Sequence, residues 1–264
     1  MNADFLTIVF GLTLIAGLIS LVDIIFWQAK RKVAGIEKQP KVVEYSRSFF
    51  PVLLLVLLIR AFVGQIYVIP TGSLEPTIMP KAYVIINQFA YGLRFWGKKL
   101  VPIGEPKRGD IVVFHSPVTP RIDLIKRVIG LPGDHISYIN RVLYINGKEA
   151  KQKFITYART TDVNHSVSWT VKVLQEDLLG VKHDIYVCAS KSCPTYDAAV
   201  QNFYNLIVPK GEYFMMGDNR DDSEDSRYWG FMPEHDITGK AWRILLSWNR
   251  QTNSIRRQQI WKKL

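Results

Sequence analysis

Asp123-Leu124-Ile125-Lys126-Arg127-Val128-Ile129-Gly130-Leu131-Pro132-Gly133-Asp134 passes from a β-branched apolar run directly into a Pro-Gly turn. β-Branched residues pack well on a pleated surface, and Pro followed by Gly presets the dihedrals of a tight turn, so the stretch reads as a strand that stops abruptly. Strand alternation puts Lys126 and Val128 on one face and Ile125, Arg127 and Ile129 on the other. Two cations therefore leave one apolar strand in opposite directions. One of them can point to solvent, whereas the other must sit among apolar neighbours. There burial lowers a lysine pKa, and a neutral amine can take a proton.

The same signature recurs outward from this stretch. Residues 82–87, 110–114 and 138–145 are rich in β-branched and aromatic side chains, Asn146-Gly147 is a hairpin signal, and no long amphipathic helical repeat follows Pro70. This predicts an all-β domain of several coiled or barrel-like sheets. Residues 151–207 are less clearly patterned and hold Cys188 and Cys193, which suits an inserted subdomain.

Before Pro70 the character changes. Residues 5–27 are apolar with Asp23 as the one charge, long enough to span a bilayer, and Asp4 stands where a cleavable signal peptide would carry basic residues. The segment is read as a retained anchor. In residues 49–69 Arg60 interrupts the run, but roughly fifteen Phe, Val, Leu and Ile at about −0.3 to −0.6 kcal/mol each outweigh one arginine at about +2.5 to +3.5 kcal/mol. Arg60 can also snorkel to the interface. A second span is expected, giving a mostly β protein with two N-terminal transmembrane helices.

The chain's net charge of +11 and 48% hydrophobic content fit a membrane protein with a sizeable core. The cations form no single stripe of the kind nucleic acid requires. Lys30, Arg31, Lys32, Lys38, Lys41 and Arg47 lie between the apolar segments, opposed by Glu37 and Glu44, and more follow from Arg250 to Lys263. The positive-inside rule places the first group in the cytoplasm and everything after about Val68 outside it. Cys188 and Cys193 would then be in an oxidising compartment and are expected to pair, being too few ligands for zinc. The expected plan is an anchor at 1–27, a basic cytoplasmic loop at 28–47 and a second anchor at 48–68. A β core follows at 69–150 and 208–264, around an insertion at 151–207.

Two further stretches stand out. Ile69-Pro70-Thr71-Gly72-Ser73-Leu74-Glu75-Pro76-Thr77 is a small-residue turn between prolines, able to present a hydroxyl rigidly but equally able to be a linker. Met216-Gly217-Asp218-Asn219-Arg220-Asp221-Asp222-Ser223-Glu224-Asp225-Ser226-Arg227-Tyr228-Trp229-Gly230 is dense in acids yet lacks the alternating spacing of a calcium loop.

Together with Arg108-Gly109-Asp110-Ile111-Val112-Val113-Phe114 and the Lys-Arg-x-x-Gly-Leu-Pro-Gly-Asp run, these stretches resemble bacterial type I signal peptidase, the leader peptidases of the Ser-Lys dyad class. The likeness covers nearly the whole chain, in the family's order. It implies that Ser73 attacks the scissile carbonyl, neutral Lys126 takes its proton and Ser223 orients the lysine. The Ser73 N–H and the Thr71 hydroxyl would form the oxyanion hole. Asp218 with Arg127 and Asp225 with Arg227 would be supporting ion pairs. The resemblance implies preprotein substrates with small residues, typically alanine, at the first and third positions before the cut, added as a strand to an exposed edge. It also implies contact with membrane phospholipids, a multi-pass location in the cytoplasmic membrane with the catalytic domain on the periplasmic side, and no cofactor or metal.

The chain departs from the commonest pattern at Thr71, often serine, at Leu74, often methionine, and at Asp222, often asparagine. Asp222 and Glu224 bring negative charge near the base, while Arg127 is expected to push the Lys126 pKa down. Among rivals, a Ser-His-Asp triad could draw on His115, His135, His165, His183 and His235 but lacks the Gly-x-Ser-x-Gly elbow, and Pro76 stands where a Ser-x-x-Lys hydrolase needs lysine. A related pilin-processing peptidase or an inactive scaffold of the same fold would share the motifs. Asn164-His165-Ser166 is formally a glycosylation acceptor, without an expected glycan in a bacterial family. Trp229, Trp242, Trp248 and Trp261 read mainly as packing residues, with Trp261 the candidate for a membrane interface.

Overall fold

The computed structural model describes residues 3–35, 38–62, 64–95, 98–119, 122–161, 167–189, 193, 202–249 and 252–264. Asn164-His165-Ser166, Arg250 and the Arg60 side chain lie outside what is described. The chain forms two compact units, Met1–Gly64 and Gln65–Leu264.

In the first unit α1 (Ala3–Val22) continues through a π-helical stretch, Asp23–Trp27, into α2 (Gln28–Val33), and α3 (Lys41–Phe62) packs against α1. Gly17 permits that approach, because a Cβ there would lie 2.9 Å from the Phe50 ring. Among the described residues one stretch, Ile8–Val33, is long and apolar enough to cross a membrane. Its hydroxyls are satisfied internally, Thr13 donating to the Val9 carbonyl and Ser20 to that of Ala16. Asp23 is fully buried and held by Arg31 at 2.6 Å and Arg47 at 2.9 Å. That pairing makes an acid tolerable at the end of an apolar helix.

The second apolar segment is a shorter helix than the sequence reading, which carried the anchor past Arg60 to residue 68. Helix α3 ends at Phe62, Gly64 takes φ +87°, and Gln65–Val68 is already strand β1. The positive φ stops helical propagation, and Gln65 to Val68 pair with a neighbouring strand instead.

The second unit is mostly β. Its strands continue with β2 (Ala82–Asn87), β3 (Leu93–Phe95), β4 (Lys98–Val101), β5 (Ile111–His115), β6 (Asp123–Gly130), β7 (His135–Ile139), β8 (Val142–Ile145) and β9 (Lys148–Glu149). They go on to β10 (Gln152–Thr161), β11 (Ser168–Asp177), β12 (Lys182–Cys188), β13 (Phe203–Ile207), β14 (Glu212–Met216), β15 (Met232–Pro233), β16 (Ile237–Asn249) and β17 (Ser254–Ile255). The short helix α4 (Ser226–Trp229) lies between β14 and β15.

The largest sheet has the order β1-β2-β16-β5-β6-β14-β15, with β17 on β16, and its paired strands are antiparallel. Smaller sheets are β10-β11-β12, β13-β7-β8-β9 and β3-β4. Alternate residues of β5 feed two cores. Ile111 and Val113 pack with Leu74, Ile78 and Ile86, whereas Val112 and Phe114 pack with Val128, Tyr213 and Met215. Burial on both faces fits these near-continuous apolar strands.

Residues 138–145, read as one strand, are instead the end of β7 and all of β8 around a tight turn. Asn140 and Arg141 take φ +49° and +67°, a left-handed pair that fits a two-residue hairpin. An arginine gives no turn signal, so composition concealed it. Residues 151–207 also hold more regular structure than their patterning suggested, with β10, β11 and β12 forming a sheet. β12 touches the site region directly: the Tyr186 N–H donates to the Asp218 carbonyl and the Arg220 N–H to that of Tyr186, both at 2.9 Å. A disulfide joins Cys188 to Cys193.

Candidate active site

Ser73 sits in the turn between β1 and β2, with Leu74 and Ile78 fully buried beneath it as anchors. The Glu75 N–H closes the turn on the Gly72 carbonyl at 3.0 Å. Asn219 clamps it from the loop after β14, donating its backbone N–H to the Ser73 carbonyl at 3.1 Å and its side-chain amide to that of Gly72 at 3.2 Å. The Ser73 hydroxyl lies 3.5 Å from that of Thr71. Ser73 is buried against this scaffold and reaches open space through a cavity of about 300 Å³, which Thr71 and Lys126 also line.

Gly217 brings the other serine in. A Cβ on Gly217 would lie 2.2 Å from the Ser223 Oγ and 2.5 Å from the Ser73 carbonyl oxygen, so only a residue without a side chain fits between the two serine segments. The Ser223 hydroxyl donates to Asp225 Oδ2 at 2.9 Å, which leaves its lone pairs free to accept. Asp225 also accepts from the Gly217 N–H at 2.9 Å and from Arg227 through both oxygens. Burial works against the Asp225 charge, but Arg227, its hydrogen bonds and Lys126 together hold the carboxyl below its usual range.

Lys126 is 4% exposed, opposite Val112 in the β5–β6 ladder. Burial lowers its pKa to about 8; Asp225, Asp222 and Glu224 oppose the shift, and Arg227 assists it. The assisting arginine is thus Arg227, not the neighbouring Arg127 expected from sequence, because alternation sends Arg127 to the other face. Arg127 does not point to solvent either. It is 5% exposed, bonds Asp218 through Nε and Nη2 at 2.7 Å each, and donates to the Gly109 carbonyl. Bidentate geometry and a further acceptor make burying this pair feasible.

The structure therefore gathers Thr71, Ser73 and Lys126 around one cavity and sets Ser223 beside it across Gly217. Both expected ion pairs are present. Sequence reasoning did not single out Gly217, Asn219 or the fully buried Arg220–Glu176 pair. The Gly-Asp-Asn-Arg run contained three of those residues, but their roles depend on contacts with distant segments. The run is dense in acids, and Asp218, Asp221 and Asp225 are buried and bonded.

The described histidines do not line the cavity. His115 pairs with Asp123 at 2.8 Å, His135 with Asn205 at 2.7 Å, and His183 is buried with Glu176 and Asp218 each 3.6 Å away. Burial lowers the His183 pKa to about 4, with Arg127 acting in the same direction. Trp229 packs on Phe114 and forms a wall of the cavity. Trp242 and Trp261 are exposed and meet edge to face at 6.0 Å, with Arg243 over both rings.

A profile described as signal peptidase, peptidase S26, matches residues 42–246. Signal peptidases I of Pseudomonas fluorescens and Pseudomonas aeruginosa are each 36% identical to the chain over 264 aligned residues, spanning 89% of both sequences. That of Aquifex aeolicus is 34% identical over 76% of the chain and 82% of its own length. The chain belongs to the signal peptidase family, peptidase S26, and is a hydrolase of that class. A crystal structure of a signal peptidase I from Enterococcus faecalis is 30% identical, covering 52% of this chain and 97% of that one, with a TM-score of 0.33.

Proposed function

We propose that the protein is a membrane-bound endopeptidase that removes signal peptides from exported preproteins, with Ser73 as nucleophile and neutral Lys126 as general base. The carrying observation is a buried lysine with a pKa lowered to about 8, lining the same small cavity as a turn-mounted serine. An ordinary lysine is almost wholly protonated near neutrality and cannot act as a base, but one titrating near 8 is partly neutral there.

In this mechanism Ser73 Oγ bonds to the scissile carbonyl carbon as its proton moves to Lys126 Nζ. The tetrahedral oxyanion is stabilised by the Ser73 N–H and the Thr71 hydroxyl. Collapse breaks the C–N bond, and Lys126 gives the proton to the departing amine of the mature protein. Water, deprotonated by Lys126, then attacks the ester carbon; the bond to Ser73 Oγ breaks as Lys126 returns the proton to that oxygen, and the signal peptide leaves as an acid that ionises in solvent. Ser223, already donating to Asp225, offers a lone pair that orients the amine. The cavity's modest volume and its Val118, Ile122 and Leu124 walls suit small side chains of the Ala-x-Ala type.

The apolar Ile8–Val33 stretch serves as one anchor and α3 as a second. The basic residues from Lys30 to Arg47, which lie between the apolar parts of these two segments, face the cytoplasm, and the β unit works on the periplasmic side. Trp242 and Trp261 are the aromatic candidates for contact with phospholipid. The test is cleavage of a preprotein by detergent-solubilised protein. Wild type is expected to release the signal peptide and Ser73→Ala to release none while keeping its fold; a folded Ser73→Ala variant cleaving at the wild-type rate ends the mechanism.

A further inference from the structure

Glu75 has no part in the mechanism above, yet it is a buried carboxyl, 5% exposed, two residues beyond the nucleophile. Its N–H closes the Ser73 turn, and its carboxyl group packs so closely that a Cβ on Gly72 would stand 3.3 Å from its Cδ. The carboxylate also accepts a hydrogen bond from the hydroxyl of Thr160, a buried residue of β10. Charged and titratable groups face it from three other directions: Asp222 from the loop after β14, Arg256 from the chain after β17, and Tyr186 from β12. Burial, countered by the Thr160 bond and Arg256 and reinforced by Asp222, raises its pKa to about 7.

Asn219 holds the turn by its carbonyls alone. Leu74 and Ile78 anchor the turn through apolar packing, and Glu75 adds a side-chain hydrogen bond that links it to a separate strand. Resting on the reading of Ser73 as nucleophile, we propose that Glu75 is a positioning residue, its carboxyl tying the Gly72–Ser73 turn to Thr160 of β10 so that the hydroxyl faces the cavity at a fixed angle. A displacement near 1 Å at a reacting atom costs up to about a hundredfold in rate, so the tie is felt in chemistry more than in substrate binding.

The experiment compares Glu75→Ala, Glu75→Gln and Thr160→Val with wild type, using a fluorogenic peptide carrying an Ala-x-Ala site and Ser73→Ala as reference. Glu75→Ala and Thr160→Val are each expected to lower kcat about tenfold or more, with KM changed less than threefold. Glu75→Gln keeps an oxygen for Thr160 and is expected to restore most of kcat, with the acidic limb of the pH profile where wild type has it, since Glu75 is not among the charges acting on Lys126. Thr160→Val is nearly isosteric, so it reads the tie even if Glu75→Ala fails to fold. Wild-type kcat in Thr160→Val overturns the proposal. So does a shifted acidic limb in Glu75→Gln, which would mean that Glu75 acts on the base by charge. Residual cleavage by Ser73→Ala would instead sink the underlying reading, which keeps the two failures apart.

Discussion

Lys126 is costly to the fold in the state that is useless for catalysis. Its folded pKa of about 8 lies below the ordinary 10.5, so the unfolded chain binds the extra proton between those values. The penalty is fully present below pH 8 and fades as pH rises through 10.5, so stability increases with pH across that window. Lys126→Met is accordingly expected to gain on the order of 3 kcal/mol at pH 7 while losing all cleavage, checked by denaturant titration beside the peptide assay. The acidic limb of kcat/KM is expected near pH 8, because only the neutral amine accepts a proton. Lys126→Arg should be inactive, as guanidinium stays protonated. Asp222→Asn removes a charge that favours the protonated amine, so the limb should move to lower pH; an unmoved limb would show that Asp222 is screened from the base. Thr71→Val is expected to lose about a hundredfold in kcat, the scale of one oxyanion donor, and unchanged turnover would remove Thr71 from the hole.

At the level of elements, catalysis depends on how closely the loop after β14 approaches the turn after β1. Gly217 sets that distance, with the Ser223 Oγ 2.2 Å from where its Cβ would stand. Neither neighbour is a flexible chain end: one is a backbone carbonyl and the other a short serine tied to Asp225. Gly217→Ala must therefore push the two serine segments apart, and kcat is expected to fall about a hundredfold or more while far-ultraviolet circular dichroism stays native. A variant cleaving at the wild-type rate would mean that the segments can separate without consequence. The β12 contacts with Asp218 and Arg220 brace the same loop from behind, joining the 151–207 segment to the site.

For the whole molecule the testable question is which side of the membrane carries the β unit. Protease added to intact spheroplasts is expected to digest the chain beyond Val68 and spare the basic stretch from Lys30 to Arg47, and the opposite pattern would reverse the orientation. On the periplasmic side the Cys188–Cys193 disulfide is stable, so neither cysteine should react with a thiol reagent until a reductant is added. Labelling of both in the unreduced protein would place the unit in a reducing compartment.

Much was legible before any coordinates because it rests on local chemistry. The 82–87 strand, the Pro-Gly turn after Gly130 and the Asn-Gly turn at 146–147 follow from β-propensity and turn dihedrals, and all three are present. Strand alternation correctly separated Lys126 from Arg127, and Thr71, Ser73 and Lys126, three of the four residues named from the motifs, line one cavity. The rest required distant segments to meet. Alternation could not tell that both cations are buried, because the acids that face them, Asp218 for Arg127 and Asp225 for Lys126, come from the distant segment after β14. The end of α3 was missed because hydropathy outweighed the stop that Gly64 offers, and the 140–141 hairpin because an arginine took a left-handed conformation that composition did not signal. Sequence determined which groups are chemically able to act; only tertiary packing decided the burial that sets the Lys126 pKa, since desolvation depends on every neighbour that excludes water.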